Sequence, residues 1–118
     1  MILIAAWILA ALGAAHVLLG LVWFHEPILA AFSEGGFGKF GGINSRRVAF
    51  WFTIFGVPLI GLGHVAILAV TAANFALIRT IGFYLLASSV VGILALPKVS
   101  GFWAVLPLAA IFIWAGHK

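Results

Sequence analysis

The first 25 residues hold no group more strongly acidic or basic than histidine: the first carboxylate is Glu26 and the first lysine or arginine is Lys39. From Ile2 to Phe24 the chain is apolar and continuous, broken only by His16. A bilayer core about 30 Å thick needs roughly 20 apolar residues in a helix rising 1.5 Å each. Three further runs of this kind follow, at about residues 48–73, 80–96 and 101–116. They do not alternate between apolar and polar residues, which sets aside a transmembrane β-barrel.

Composition decides the solvent. Hydrophobic residues make up 66% of the 118 and charged residues 7%, against about 25% charged in soluble domains. Two acidic and six basic side chains cannot cover a water-facing surface. The expected fold is therefore an all-α, polytopic membrane protein, a four-transmembrane-helix bundle in one membrane domain over residues 1–118. Residues of about 27–42 are expected to form a re-entrant or interfacial segment. The N-terminal run lacks the basic residues that open a secretory signal and is longer than a signal's apolar core, so a retained helix is expected.

Several chemistries drop out. With no cysteine there are no disulfides, thiolate metal sites or thiol nucleophiles. The formal charge of +4 comes from basic residues at span ends. That suits anionic membrane lipid as a partner and does not suggest nucleic acid. Lys39, Arg46, Arg47 and Lys98 fall on one face, Arg79 and Lys118 on the other. The excess makes the first-loop face cytoplasmic, in a bacterial inner membrane. Trp7, Trp23, Trp51, Trp103 and Trp114 all lie near span ends, as in an interfacial aromatic belt.

The polar residues that remain are few enough to place. Gly13, His16, Gly20 and Trp23 recur at helical spacing and share one face. Pro27 biases Glu26 away from helical geometry, so the first span should stop near His25–Glu26, and Gly35–Gly36 should end a short helix after it. The Gly35–Gly42 loop has no preceding strand and no Gly-Lys-Ser/Thr ending, so it reads as an interfacial loop carrying two phenylalanines rather than a phosphate loop. Asn44 or Ser45 is expected to cap the second span, and residues 74–79 to form the next turn. Counting back from the span ends sets His16 about 12 Å below the first-loop face, level with Ser88 and Ser89. Above it come His25, Glu26, Glu34, Arg46, Arg47 and Trp51. This describes a polar funnel, and intramembrane ionisable groups usually face a bundle interior and mark function. The plainer alternative for His16 is a hydrogen bond to a serine that only locks helices together. For Arg46 and Arg47, pairing with Glu26 or a bound anion stands beside plain headgroup anchoring.

His64 counts to near the opposite face, where it can reach water. Its depth differs from that of His16 by about 12 Å, too much for opposed haem ligands. No metal or cofactor is expected.

The ordered pattern Gly13-x-x-His16-x-x-x-Gly20, Glu26-Pro27, Arg47-x-x-Phe50-Trp51-Phe52 with Gly56, and Ser100-Gly101-Phe102-Trp103 resembles a bacterial family of small four-helix membrane proteins classed as a domain of unknown function. The resemblance implies a four-helix membrane fold and singles out His16, Glu26, Arg47 and Trp51. It implies no activity.

The leading functional expectation is binding of a small amphipathic or lipid-like molecule in the funnel. Arg46 and Arg47 would take an anionic head, His25, Glu26 and Trp51 shape the mouth, and His16 with Ser88 and Ser89 meet a deeper polar atom. The alternatives are a membrane enzyme using His16 with Glu26 for proton transfer, a proton-linked oligomeric transporter or channel, and a structural subunit. Small faces such as Ala6–Ala10–Gly13 and Gly56–Gly63 would suit close packing, including in a homo-oligomer.

Overall fold

The structure, a computed structural model, describes residues 1–98 and 102–117. The described residues form five helices: α1 (Ile2–Trp23), α2 (His25–Ser33), α3 (Asn44–Thr71), α4 (Phe75–Ala95) and α5 (Phe102–Gly116). The all-α class is as expected, but the count is five rather than four. Three helices, α1, α3 and α4, are long and apolar enough to cross a membrane. The fourth expected span, α5, has only 15 residues, about 22 Å of helix.

The additional helix follows from Pro27. That residue has no N–H for the carbonyl of Trp23, four positions back, and its ring crowds that carbonyl. The ladder breaks at Phe24 (φ −114°, ψ 25°), and α2 starts with Pro27 inside its first turn. It ends where the glycines predict: Gly36 N–H bonds Ala31 O and Gly35 N–H bonds Phe32 O, both at 3.0 Å. This is the Schellman closure, and it requires the positive φ that Gly35 (104°) supplies.

Two boundaries differ from the sequence reading. Helix α3 begins at Asn44, earlier than about 48, with the Ile43 carbonyl accepting from the amides of both Arg46 and Arg47. Asn44 does not cap its amides; its side-chain oxygen accepts from the Arg47 guanidinium instead. Helix α4 begins at Phe75 rather than about 80, because Asn74 serves both neighbours. Its amide closes α3 on Ala69 O at 2.9 Å, and its side chain accepts from Leu77 N at 3.1 Å to open α4. The turn is thus compressed to a few residues, at the cost of Ala73 at φ 53°, a conformation that disfavours a Cβ by about 1–2 kcal/mol. Helix α3 runs unbroken past Pro58.

The chain divides into two compact units, residues 10–61 and residues 1–9 with 62–118. In the second unit α4 and α5 run antiparallel. A Cβ on Gly82 would lie 2.7 Å from the Ile113 amide, and Phe112, Leu9, Ile78 and Ser89 are its largest fully buried side chains. Arg79 donates to Gly116 O at 3.3 Å, placing a cation on the terminal carbonyls of α5. Trp103 donates to Pro97 O at 3.0 Å.

In the unit of residues 10–61, α1 and α3 touch backbone to backbone. A Cβ on Gly13 would lie 2.8 Å from Gly56 O, one on Gly20 would lie 2.9 Å from Thr53 Cα, and one on Gly56 would lie 2.9 Å from the Val17 amide. These are backbone contacts that side-chain motion cannot relieve. Small residues admit such approach where apolar solvent gives helices little other reason to pair. Gly56→Ala is therefore expected to lower stability in detergent by about 1–3 kcal/mol through overpacking. Gly61→Ala, with nothing within 4 Å of its Cβ position, should instead gain up to about 1 kcal/mol of helix propensity. Denaturant titrations followed by circular dichroism would show opposite signs for the two variants.

Candidate functional site

Of the face read from the sequence, Gly13, His16 and Gly20 pack on α3, while Trp23 is exposed. His16 sits between Gly13 and Gly20 on α1, and its Nδ1–H donates to Phe52 O on α3 at 2.7 Å. The carbonyl can only accept, so Nδ1 carries the proton in this contact. The ring lies 4.1 Å from that of Phe52 and edge-on to Phe55 at 5.4 Å. Phe52 also meets Phe24 at 5.3 Å and Trp23 at 5.9 Å. The observed partner of His16 is thus a backbone carbonyl within a ring of aromatics. Ser89 is fully buried and donates to Leu85 O in its own helix at 2.6 Å. Ser88 is exposed. Both serines lie in the other compact unit.

The arginine pair separates into two roles. Arg46 is buried, donates to Glu34 in an ion pair, and donates to Lys39 O at 3.2 Å. It ties the end of α2 and the middle of the glycine loop to the start of α3. The sequence reading offered Glu26 as partner; the chain uses Glu34, which the Schellman turn sets at the loop's entrance. Glu26 is exposed and makes no ion pair or side-chain hydrogen bond among the described residues. His25 is also exposed, and its Nδ1–H returns to Val22 O at 2.9 Å. Arg47 is exposed and, among the described residues, its side chain holds only Asn44. His64 is exposed and makes no side-chain hydrogen bond among the described residues.

Of the two loop phenylalanines, Phe37 is 97% exposed, whereas Phe40 turns back onto the protein. Its ring meets Phe32 edge-on at 5.9 Å and Phe50 at 5.6 Å. Such pairs contribute about 0.5–1.5 kcal/mol beyond their burial. Phe40 and Phe50 form the shared wall of two clefts. One, of about 240 Å³, is lined by Leu21, Ile28, Phe32, Ala49, Thr53 and Ile54 besides the two rings. The other, of about 230 Å³, is bounded by Phe40, Gly41, Arg47, Phe50 and Trp51. The first is almost wholly carbon. Its one polar side chain, Thr53, turns its hydroxyl to Gly20, where it is buried with no hydrogen-bond partner. The second pairs a guanidinium with two aromatic faces. Sequence reasoning named Arg47 and Trp51 but missed Phe40 and Phe50 as the wall between the clefts. Their spacing from one another gave no periodic signal, because a loop separates them.

The Arg46 hydrogen bond holds the Glu34 carboxyl below its ordinary value of 4.5, with the charges of Arg46 and Lys39 adding to the effect and partial burial opposing it. A lowered value means the native state binds fewer protons than the unfolded chain. The loop tie is therefore at full strength above the ordinary carboxylate range and is lost as pH falls through the lowered value. Limited proteolysis within residues 35–42 should accelerate in that acid range for the wild type. Glu34→Gln should be cleaved fast at neutral pH and show no such acid step.

No curated protein and no solved structure matches the chain. Residues 3–118 match a family described as a family of unknown function, DUF6463. On that match, which spans nearly all of its length, the chain belongs to the DUF6463 family.

Proposed function

We propose that this protein is a multi-pass integral membrane protein that binds a small amphipathic, lipid-like molecule at the paired clefts on either side of Phe40 and Phe50. The observation that carries the reading is the juxtaposition itself: a carbon-lined cleft and a cleft holding Arg47 share one aromatic wall. An amphipathic molecule has the same two parts in the same order. The deeper funnel floor at His16 moves out of the binding role, because Nδ1 is spent on Phe52 O and the ring is packed among aromatics.

In this reading α1, α3 and α4 cross a bacterial inner membrane, and α5 is a fourth, shorter span. The mismatch of a short span is absorbed at modest cost by local thinning or by flanking residues. Trp103 and Trp114, both exposed, suit its ends. The Gly35–Gly42 loop lies on the cytoplasmic face, following the excess of Lys39, Arg46, Arg47 and Lys98. The whole chain is one membrane domain, and its exposed apolar faces leave room for a homo-oligomer. The enzymatic alternative asks His16 and Glu26 to work together, and no hydrogen bond joins them.

Native mass spectrometry after gentle extraction tests the binding. The expected spectrum shows a retained lipid-like mass on the wild type. Ile54→Trp, which fills the apolar cleft from an exposed position, should remove it while the helical spectrum is unchanged. Equal retention by both proteins would contradict the reading.

A further inference from the structure

The clefts say more than that something amphipathic binds: they specify the head. This inference rests on the binding reading above. Arg46 and Glu34 neutralise one another, so the two nearby cations left for a ligand are Lys39 and Arg47. Glu26 is the remaining acid of the segment and does not pair with either. Residues 26–47 thus carry three basic side chains against two acidic ones, and the uncompensated charge stands at the second cleft.

The donors there are also under-used. Arg47 presents five N–H groups and gives one bond, to Asn44. Gly41, on the same cleft, has nothing within 4 Å of where a Cβ would stand, and its amide makes no hydrogen bond among the described residues. Arg47 sits in the first turn of α3, where the helix dipole makes a cation unfavourable unless an anion accompanies it. Arg46, one residue earlier, has its anion in Glu34. Arg47 has none among the described residues.

We infer that the occupant is an anionic phospholipid, its phosphate-bearing head held by Arg47 and the Gly41 amide against Trp51, and one acyl chain passing the Phe40–Phe50 wall into the cleft of Leu21, Ile28 and Ile54. The lipid enters sideways from the bilayer, because both clefts are open grooves rather than closed cavities. Charge complementarity selects the anionic class, and a guanidinium beside free amide donors suits a phosphate's several acceptor oxygens. A zwitterionic lipid fits the same apolar cleft but brings a cation to a site that already has one.

The test uses the full-length protein in nanodiscs of mixed phosphatidylglycerol and phosphatidylcholine, with bromine on the chains of one lipid and then of the other. The contribution of Trp51 is the difference in quenching between wild type and Trp51→Phe. Brominated phosphatidylglycerol should be preferred at Trp51 by about fivefold, the worth of one basic residue beside an anionic lipid. Arg47→Gln should abolish the preference, whereas Arg79→Gln should leave it intact. Equal quenching by both lipids, with a lipid still retained in the mass spectrum, would overturn the head-group assignment and leave the binding reading standing. Quenching no stronger than that of bulk annular lipid, with no retained mass, would overturn both.

Discussion

The backbone contact between α1 and α3 over Gly13, Gly20 and Gly56 is the constraint on which the unit of residues 10–61 depends. Where the two helices touch without side chains between them, His16 can reach the carbonyl of Phe52, and Thr53 Oγ1 fits against Gly20. The close approach also presents Ala49, Phe50 and Ile54 on α3 beside Leu21 on α1. Phe50 and Ile54 of α3 line the cleft, whereas Phe52 and Phe55 pack on His16. The imidazole's lone polar partner is main chain, which cannot be changed by substitution at the partner position. That makes the orientation of the His16 ring a property of the backbone fold.

Two adjacent arginines end with different work because one chain turn intervenes. Pro27 breaks the first helix, the Gly35–Gly36 closure ends the second, and Glu34 is left at the corner facing α3. Arg46 closes onto it and also onto Lys39 O, in a loop whose Phe40 ring lies against Phe32 and Phe50. Arg47, a hundred degrees further around the helix, misses this corner and stays open beside Trp51. One ion pair therefore ties the loop that carries Phe40 and leaves the second guanidinium available.

Much of the local architecture was legible in the residues. The Gly13–His16–Gly20 face, the break before Pro27 and the stop at Gly35–Gly36 each follow from a short-range rule about spacing, a missing N–H or a positive φ. Some of the errors are local in cause and others tertiary. Asn44 was read as a cap and instead accepts from Arg47; Asn74 was read as the start of a longer turn and instead ends one helix and starts the next. Glu26 was the partner the residues suggested for an arginine, and the loop's path selects Glu34 instead. Phe40 was read as a loop anchor because nothing in a glycine-rich stretch reveals that it folds back. The Ser100–Gly101 part of the recognised pattern lies outside the described residues, as does Lys118.

The central claim is that a single amphipathic molecule spans both clefts at once. Nuclear Overhauser contacts between protein and lipid in isotropic bicelles measure this directly. The account predicts that one slowly exchanging molecule shows its head-group protons close to the Trp51 ring and its chain protons close to the methyls of Ile28 and Ile54. Contacts that arise only from rapidly averaging bulk lipid, graded by depth alone and equal on every exposed face of α3, would contradict it.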